Sequence, residues 1–120
     1  MGEETKQRIV QELVPGRQIT LAHVIANPDE LLLTHMGLTG ESAAGKSAIG
    51  VLTVTPAETA IILGDIAIKA SGAHLGHLDC YENGSLVITG TVSEVQASVQ
   101  AMLRYAAETL QYEVCGITAT

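Results

Sequence analysis

The residues between Gly40 and Ser47 offer the first candidate for chemistry. They read Gly-Glu-Ser-Ala-Ala-Gly-Lys-Ser, which matches the phosphate-loop pattern G-x-x-x-x-G-K-[ST] at every fixed position. Such a loop holds phosphate when a buried strand precedes it and a helix follows, because the N–H groups of the helix N-terminus must face the ligand. Here a helical pattern precedes the glycines and the β-branched run Ile49–Val54 follows, while Asp65, the candidate Mg²⁺ ligand, falls inside a predicted helix. We therefore interpret the segment as a connector.

A pair of polar residues, His77 and Asp79, is the second candidate. Side chains two apart on a strand share a face, which would suit a general base and its orienting carboxylate. No Ser or Cys nucleophile is linked to the pair by spacing, and strict alternation points His74 to the other face. His23 lies in an apolar strand and His35 near a helix end. We interpret all four histidines as structural and predict no catalytic residue.

The two cysteines, Cys80 and Cys115, stand apart in the sequence rather than in a Cys-x-x-Cys pair. The simplest interpretation is two reduced thiols in a reducing compartment. Cys80 precedes a predicted turn, and a thiol there could bind a metal only if other chains supplied further ligands, since this chain places none nearby.

The elements that position these residues repeat a strand, helix, strand order between Ser47 and Gln111. A β-branched strand (Ser47–Thr55) leads to Thr55-Pro56-Ala57-Glu58, which predicts a capping box and a helix over Pro56–Ser71. The following segments are predicted as an extended run (Ala73–Tyr81), a turn (82–84), a strand (Ser85–Gly90), a second capping box (Thr91–Glu94) and a helix. That last helix has an apolar stripe of helical period: Val92, Val95, Val99, Met102, Leu103, Ala106 and Leu110.

Flanking segments complete the predicted fold. A strand over Gln18–Ile25 precedes a short helix that is capped by Asn27–Glu30 and ends at Gly37. The buried side of this helix is predicted from its apolar residues: Leu31, Leu32, Leu33 and Met36. Tyr112–Thr118 is predicted as the last strand. The total of about five strands and three helices indicates an α+β sheet covered by helices.

The N-terminal segment Arg8–Val14 is an extended stretch that ends at Pro15-Gly16. A lone strand of this length is not stable in water, so it must pair with something. Met1–Gln7 carries charge and no pattern.

The composition limits the function. A formal net charge of −7 argues against nucleic acid, and no apolar run is long enough to span a bilayer or act as a signal peptide. We expect a cytosolic domain without nucleic-acid or membrane partners.

Three separated stretches carry a resemblance to a known family: Val14–Pro28, Ala48–Pro56 and Gly76–Asp79. Their sequences closely resemble those of the circularly permuted single-domain shell proteins of bacterial microcompartments, the EutS, PduU and CutR type. The likeness runs from about Arg8 to the C-terminus. It implies a circularly permuted BMC domain over residues 17–120, a ferredoxin-like antiparallel sheet covered by helices, with residues 1–16 as tail and barrel strand.

The resemblance implies a structural protein without enzymatic activity. It would form a homo-hexamer that tiles with other shell proteins around enzymes, in the microcompartment shell within the cytoplasm. The organelle would be of the ethanolamine, propanediol or choline utilisation type. One strand from each subunit would build a six-stranded parallel β-barrel that caps the central pore: Arg8, Ile9, Val10, Gln11, Glu12, Leu13 and Val14. Either the Ile9, Gln11 and Leu13 side or the Val10, Glu12 and Val14 side lines this barrel.

The resemblance also assigns residues to assembly surfaces. One turn would approach the sixfold axis and border the pore: Cys80, Tyr81, Glu82, Asn83, Gly84 and Ser85. Lys69 would lie at the edge where hexamers meet. No cofactor is expected. The alternative is an iron–sulfur cluster or metal at the axis, bound through Cys80, where relatives carry a basic residue.

Overall fold

The computed structural model describes residues 16–37, 47–81 and 83–120. The predicted barrel strand Arg8–Val14, most of the Gly40–Ser47 connector and Glu82 lie outside these ranges. In chain order the elements are β1 (Gln18–Ala26), α1 (Glu30–His35), β2 (Ala48–Thr55), α2 (Thr59–Ala70), β3 (His74–Asp79), β4 (Gly84–Gly90), α3 (Val92–Glu108), β5 (Glu113–Val114) and β6 (Thr118–Ala119).

The strands form one mixed sheet in the order β3–β4–β2–β1–β5, and β6 also pairs with β1. Its first four strands are antiparallel, as predicted, but β5 and β6 run parallel to β1. Tyr112–Thr118 is therefore not one continuous strand. Gln18 lies opposite Glu113 and His23 opposite Thr118, so the spacing along the two chains is the same on both sides of the gap. The C-terminal segment follows β1, and only its middle leaves the ladder.

Helices α2 and α3 cover one face of the sheet and bury the main core. The sheet contributes Ile19, Val24, Leu52, Val54, Leu86 and Ile88, and the helices contribute Leu63, Ala67, Val95, Val99 and Met102. These side chains are aliphatic or thioether groups, so the helices lie close to the sheet. Within the described ranges, no helix is long and apolar enough to cross a bilayer.

The capping prediction is confirmed for α3 and wrong for α2. Thr91 Oγ1 accepts from the Glu94 N–H at 3.2 Å, and Glu94 Oε1 accepts from the Thr91 N–H at 3.0 Å. Thr55 does not cap α2, because it is the last residue of β2 and pairs with Gln18. The helix begins at Thr59 instead, and its N-cap Glu58 makes no side-chain capping bond.

Helix α1 lies on the other face of the sheet. Asp29 caps it, with Oδ1 accepting from the Leu31 N–H at 2.8 Å. Of the predicted buried side only Leu33 is buried, against Ile49 and Val87. The prediction was wrong for Leu31, Leu32 and Met36, which remain substantially exposed. A helix of six residues offers the sheet less than two turns, and one leucine fills that contact.

Gly50 lets α3 pack directly on the backbone of β2. A Cβ at this position would lie 2.9 Å from Ile88 Cγ1 and 2.9 Å from Val95 Cγ1. We expect Gly50→Ala to lower the free energy of unfolding by about 1–3 kcal/mol through overpacking. Thermal and denaturant unfolding measure this. Gly116→Ala is the matched control, because nothing lies within 4 Å of its added Cβ. Equal stability of the two variants would contradict the packing.

Candidate assembly surfaces

The predicted axis turn joins β3 to β4 and projects from the sheet. Tyr81 is 93% exposed, the highest value among the large apolar side chains described. Its N–H donates to Asp79 Oδ1 at 3.0 Å, and the Ser85 N–H donates to the Asn83 carbonyl at 3.0 Å. Cys80 is part-buried. The turn thus has its own hydrogen bonds and presents an aromatic ring that nothing in the described chain covers.

Gly84 anchors this turn to the junction of β2 and α2. A Cβ there would lie 2.1 Å from the Val54 carbonyl oxygen and 2.9 Å from Ala57 Cα. Both are backbone atoms, which cannot move aside as a flexible side chain would. The position therefore requires glycine for close approach, and the turn is held at one place relative to the sheet.

Lys69 lies near the C-terminal end of α2 with its side chain 73% exposed. Its Nζ is 2.9 Å from Asp65 Oδ2, one helical turn earlier. An exposed pair of this kind contributes little stability, so the ammonium remains able to bind elsewhere. Two hydrogen bonds hold the end of the helix: Ser98 Oγ donates to the Ala67 carbonyl at 2.8 Å in the core, and it lies 2.8 Å from the part-buried Ser71 Oγ.

The same side of α2 carries exposed apolar residues. Ile61 and Ile68 are 54% and 47% exposed, and their spacing with Asp65 places them along one helical stripe. The opposite side of the helix faces the core through Leu63 and Ala67. Helix α2 thus combines a buried face with an outer stripe of isoleucines next to the Asp65–Lys69 pair.

The described residues agree with the interpretation of Gly40–Ser47 as a connector and not as a phosphate-binding loop. Strand β2, not a helix, follows the motif, and the N–H of Ser47 donates to the Gly90 carbonyl at 2.9 Å. Asp65 lies within α2 as predicted, paired with Lys69 on an exposed surface. No helix N-terminus follows the motif to bind a phosphate.

His77 and Asp79 share a face, as predicted, because they lie opposite Val87 and Ser85. The prediction for His74 was wrong. The register shifts between Leu75 and His77, and His74 lies opposite Thr89, on the same face as His77. A bulge inserts one residue and cancels strict alternation. The glycine between Leu75 and His77 was the signal that sequence reasoning missed, since glycine inside a strand often marks a bulge.

His23 holds the C-terminal segment. Its Nδ1 bonds to Thr118 Oγ1 at 2.5 Å and its Nε2 to Thr120 Oγ1 at 3.0 Å. Backbone bonds between Val24 or Ala26 and Thr120 extend the contact. The structural interpretation of this histidine agrees with both contacts.

Within the part of the chain that the structure describes, no group of three or more His, Cys, Asp or Glu residues is arranged to hold a metal ion. Cys80 and Cys115 are both free thiols. The cluster hypothesis for Cys80 requires ligands from neighbouring chains and stays a prediction.

Comparison with known proteins gives one consistent class. The BMC domain family model matches residues 48–117. The shell protein PduU of Salmonella typhimurium is 44% identical over 118 residues, covering 98% of this chain and 97% of PduU. EutS of Escherichia coli K12, also a shell protein, is 43% identical over 113 residues, covering 94% and 96%. A solved CutR flat hexamer superposes with a TM-score of 0.80 at 41% identity, covering 94% of this chain and 99% of that one.

The chain belongs to the BMC-domain family, in its circularly permuted single-domain form. It is a structural, non-enzymatic shell protein of a bacterial microcompartment. The resemblance stated from the sequence is thereby confirmed.

The close approach at Gly84 can be tested by substitution. We expect Gly84→Ala to lower the thermal midpoint by roughly 5–10 °C, because its Cβ would collide with backbone atoms of the β2–α2 junction. Asn83→Ala is the control, since Asn83 is exposed and only its carbonyl is bonded within the described residues. Calorimetry of both variants decides the matter, and a Gly84→Ala midpoint equal to that of Asn83→Ala would refute the close approach.

Proposed function

We propose that this shell protein works as a cyclic homo-hexamer that forms a tile of the microcompartment shell. The observation that carries the proposal is the similarity to the CutR flat hexamer, at 41% identity over 94% of this chain. Similarity at that level extends over nearly all of both chains, so the surfaces by which CutR subunits meet have counterparts here. PduU and EutS are about as similar, and the proposal is the shell role common to all three.

The turn from Cys80 to Ser85 meets its copies at the sixfold axis in this proposal. Its support is the combination of a turn anchored by Gly84 and a Tyr81 ring that is 93% exposed. A large aromatic side chain left uncovered in one chain fits a surface that another copy covers. Six such turns would border a central pore.

The N-terminal strand Arg8–Val14 closes the axis as a parallel barrel built from the six subunits. Its support comes from the sequence: a seven-residue extended segment with no hairpin partner of its own before Pro15-Gly16. Ring closure gives every copy two neighbours and leaves no free strand edge. A barrel over the axis would restrict passage through the pore.

Lys69 and the isoleucine stripe of α2 form the outer edge at which tiles meet other shell proteins, with enzymes enclosed inside the shell. The lysine is exposed and its partner Asp65 is on the same helix, so its three donors can reach carbonyl groups of a neighbouring tile. Ile61 and Ile68 supply apolar area beside it.

The ring, and its independence of the N-terminal segment, are tested by mass. Native mass spectrometry of the full chain should give a hexamer at micromolar concentration, and a monomer would refute the proposal. A chain lacking residues 1–14, behind a new initiator methionine, should also be hexameric, because the ring contacts come from the main body. Loss of the hexamer on deletion would contradict that assignment.

The edge assignment is tested by Lys69→Ala. This variant should form hexamers but few extended sheets, since it removes a contact between tiles and not within them. Electron microscopy of assemblies, with native mass of the same sample, separates the two levels. Arg104→Ala, an exposed cation on α3, is the matched control and should form sheets normally. Equal impairment of ring and sheet by Lys69→Ala would place the lysine elsewhere.

A further inference from the structure

The bulge in β3 creates a pair of histidines that strict alternation would have separated. His74 and His77 lie opposite Thr89 and Val87, and both imidazole-bearing residues are exposed. Because Thr89 and Val87 are two residues apart on β4, their partners are one pleat repeat apart on β3, at roughly 7 Å between Cα atoms. Two side chains at this separation and on one face can bring their ring nitrogens to a common atom.

The two rings differ from His23 in their surroundings. Both ring nitrogens of His23 are bonded to threonine hydroxyls. In the part of the chain described here, no other group is hydrogen-bonded to the imidazole ring of His74 or His77. Their cross-strand neighbours are an alcohol and a valine, which carry no charge that would compete with or repel a bound cation.

We propose that His74 and His77 form a bidentate site for a borderline divalent transition metal, represented by Zn²⁺. Neutral imidazole is a preferred ligand of this class of ion, whereas Ca²⁺ and Mg²⁺ prefer oxygen. Each histidine contributes one ring nitrogen at about 2.0–2.1 Å. The remaining two positions of a tetrahedral zinc ion face solvent and take water or an oxygen ligand from a small molecule.

This site is distinct from the one in the cysteine hypothesis. Its ligands come from one strand of one chain, whereas a site at Cys80 would need several copies. The net charge of −7 favours cation accumulation near the surface. The bulge positions the ligands, so the β3–β4 register is the feature on which the site depends.

The test is zinc affinity measured by competition with a chromophoric chelator, using the full-length protein in its natural oligomeric state. We expect one zinc per chain. His74→Gln and His77→Gln should each weaken binding by roughly 100-fold, because either loss removes the chelate effect. His35→Gln, which removes the exposed histidine of α1, should bind zinc as the unmodified protein does.

Three outcomes would overturn the site. One is zinc binding by the unmodified protein that is no tighter than binding by a variant carrying both His74→Gln and His77→Gln. A second is retention of half the zinc at unchanged affinity in each single variant, which would mean that the rings bind separately. The third uses the unmodified protein: Cu²⁺ electron paramagnetic resonance should show coupling to two imidazole nitrogens, and coupling to one would refute the pair. Circular dichroism and native mass confirm that each variant is folded and assembled.

Discussion

The antiparallel ladder between β2 and β4 is the constraint on which the rest of the structure depends. It runs from the Ala48–Gly90 pair to the Val54–Gly84 pair. At one end, Gly84 lies against the Val54 carbonyl and sets the position of the exposed turn. At the other end, Gly90 accepts from Ser47 and leads into Thr91, the N-cap of α3. The same ladder thus places the surface turn and starts the helix that covers the core.

The two sides of the sheet have different relations to solvent. Helices α2 and α3 pack on one side and bury most of its apolar residues, with hydrogen bonds from Ser98 joining them. On the other side, within the described residues, α1 packs Leu33 against Ile49 and Val87. Packing on the helical side holds the subunit together, while apolar side chains left exposed on α1, α2 and the turn between β3 and β4 remain available for other chains.

The bulge in β3 shows how one residue changes the chemistry of a surface. With strict alternation, His74 would face away from His77 and the strand would present one histidine beside Asp79. The extra residue puts both histidines on the same face. The bulge is local, since pairing resumes with His77 opposite Val87 and continues with Leu78 opposite Leu86, and both leucines still face the helices. The bulge therefore sets the face on which His74 lies and leaves the core unaltered.

Secondary-structure elements could be predicted from the sequence where the residues that specify them are close together in the chain. The capping box at Thr91–Glu94, the stripe of α3 and the β-branched run of β2 predicted their structures, because period and capping depend on neighbours within a few residues. The family could also be recognised, since several separated stretches of the chain match the family's sequence in the same order. Four features could be read only from the folded chain. Thr55 ends β2 and does not cap α2, and only one leucine of α1 is buried. The C-terminal segment pairs in parallel with β1, and His74 lies on the same face as His77. Each of these depends on a partner distant in sequence. Thr55 pairs with Gln18 in the sheet, and Leu33 is the one leucine of α1 that packs against Ile49 and Val87. Pairing with β4 sets the register of β3.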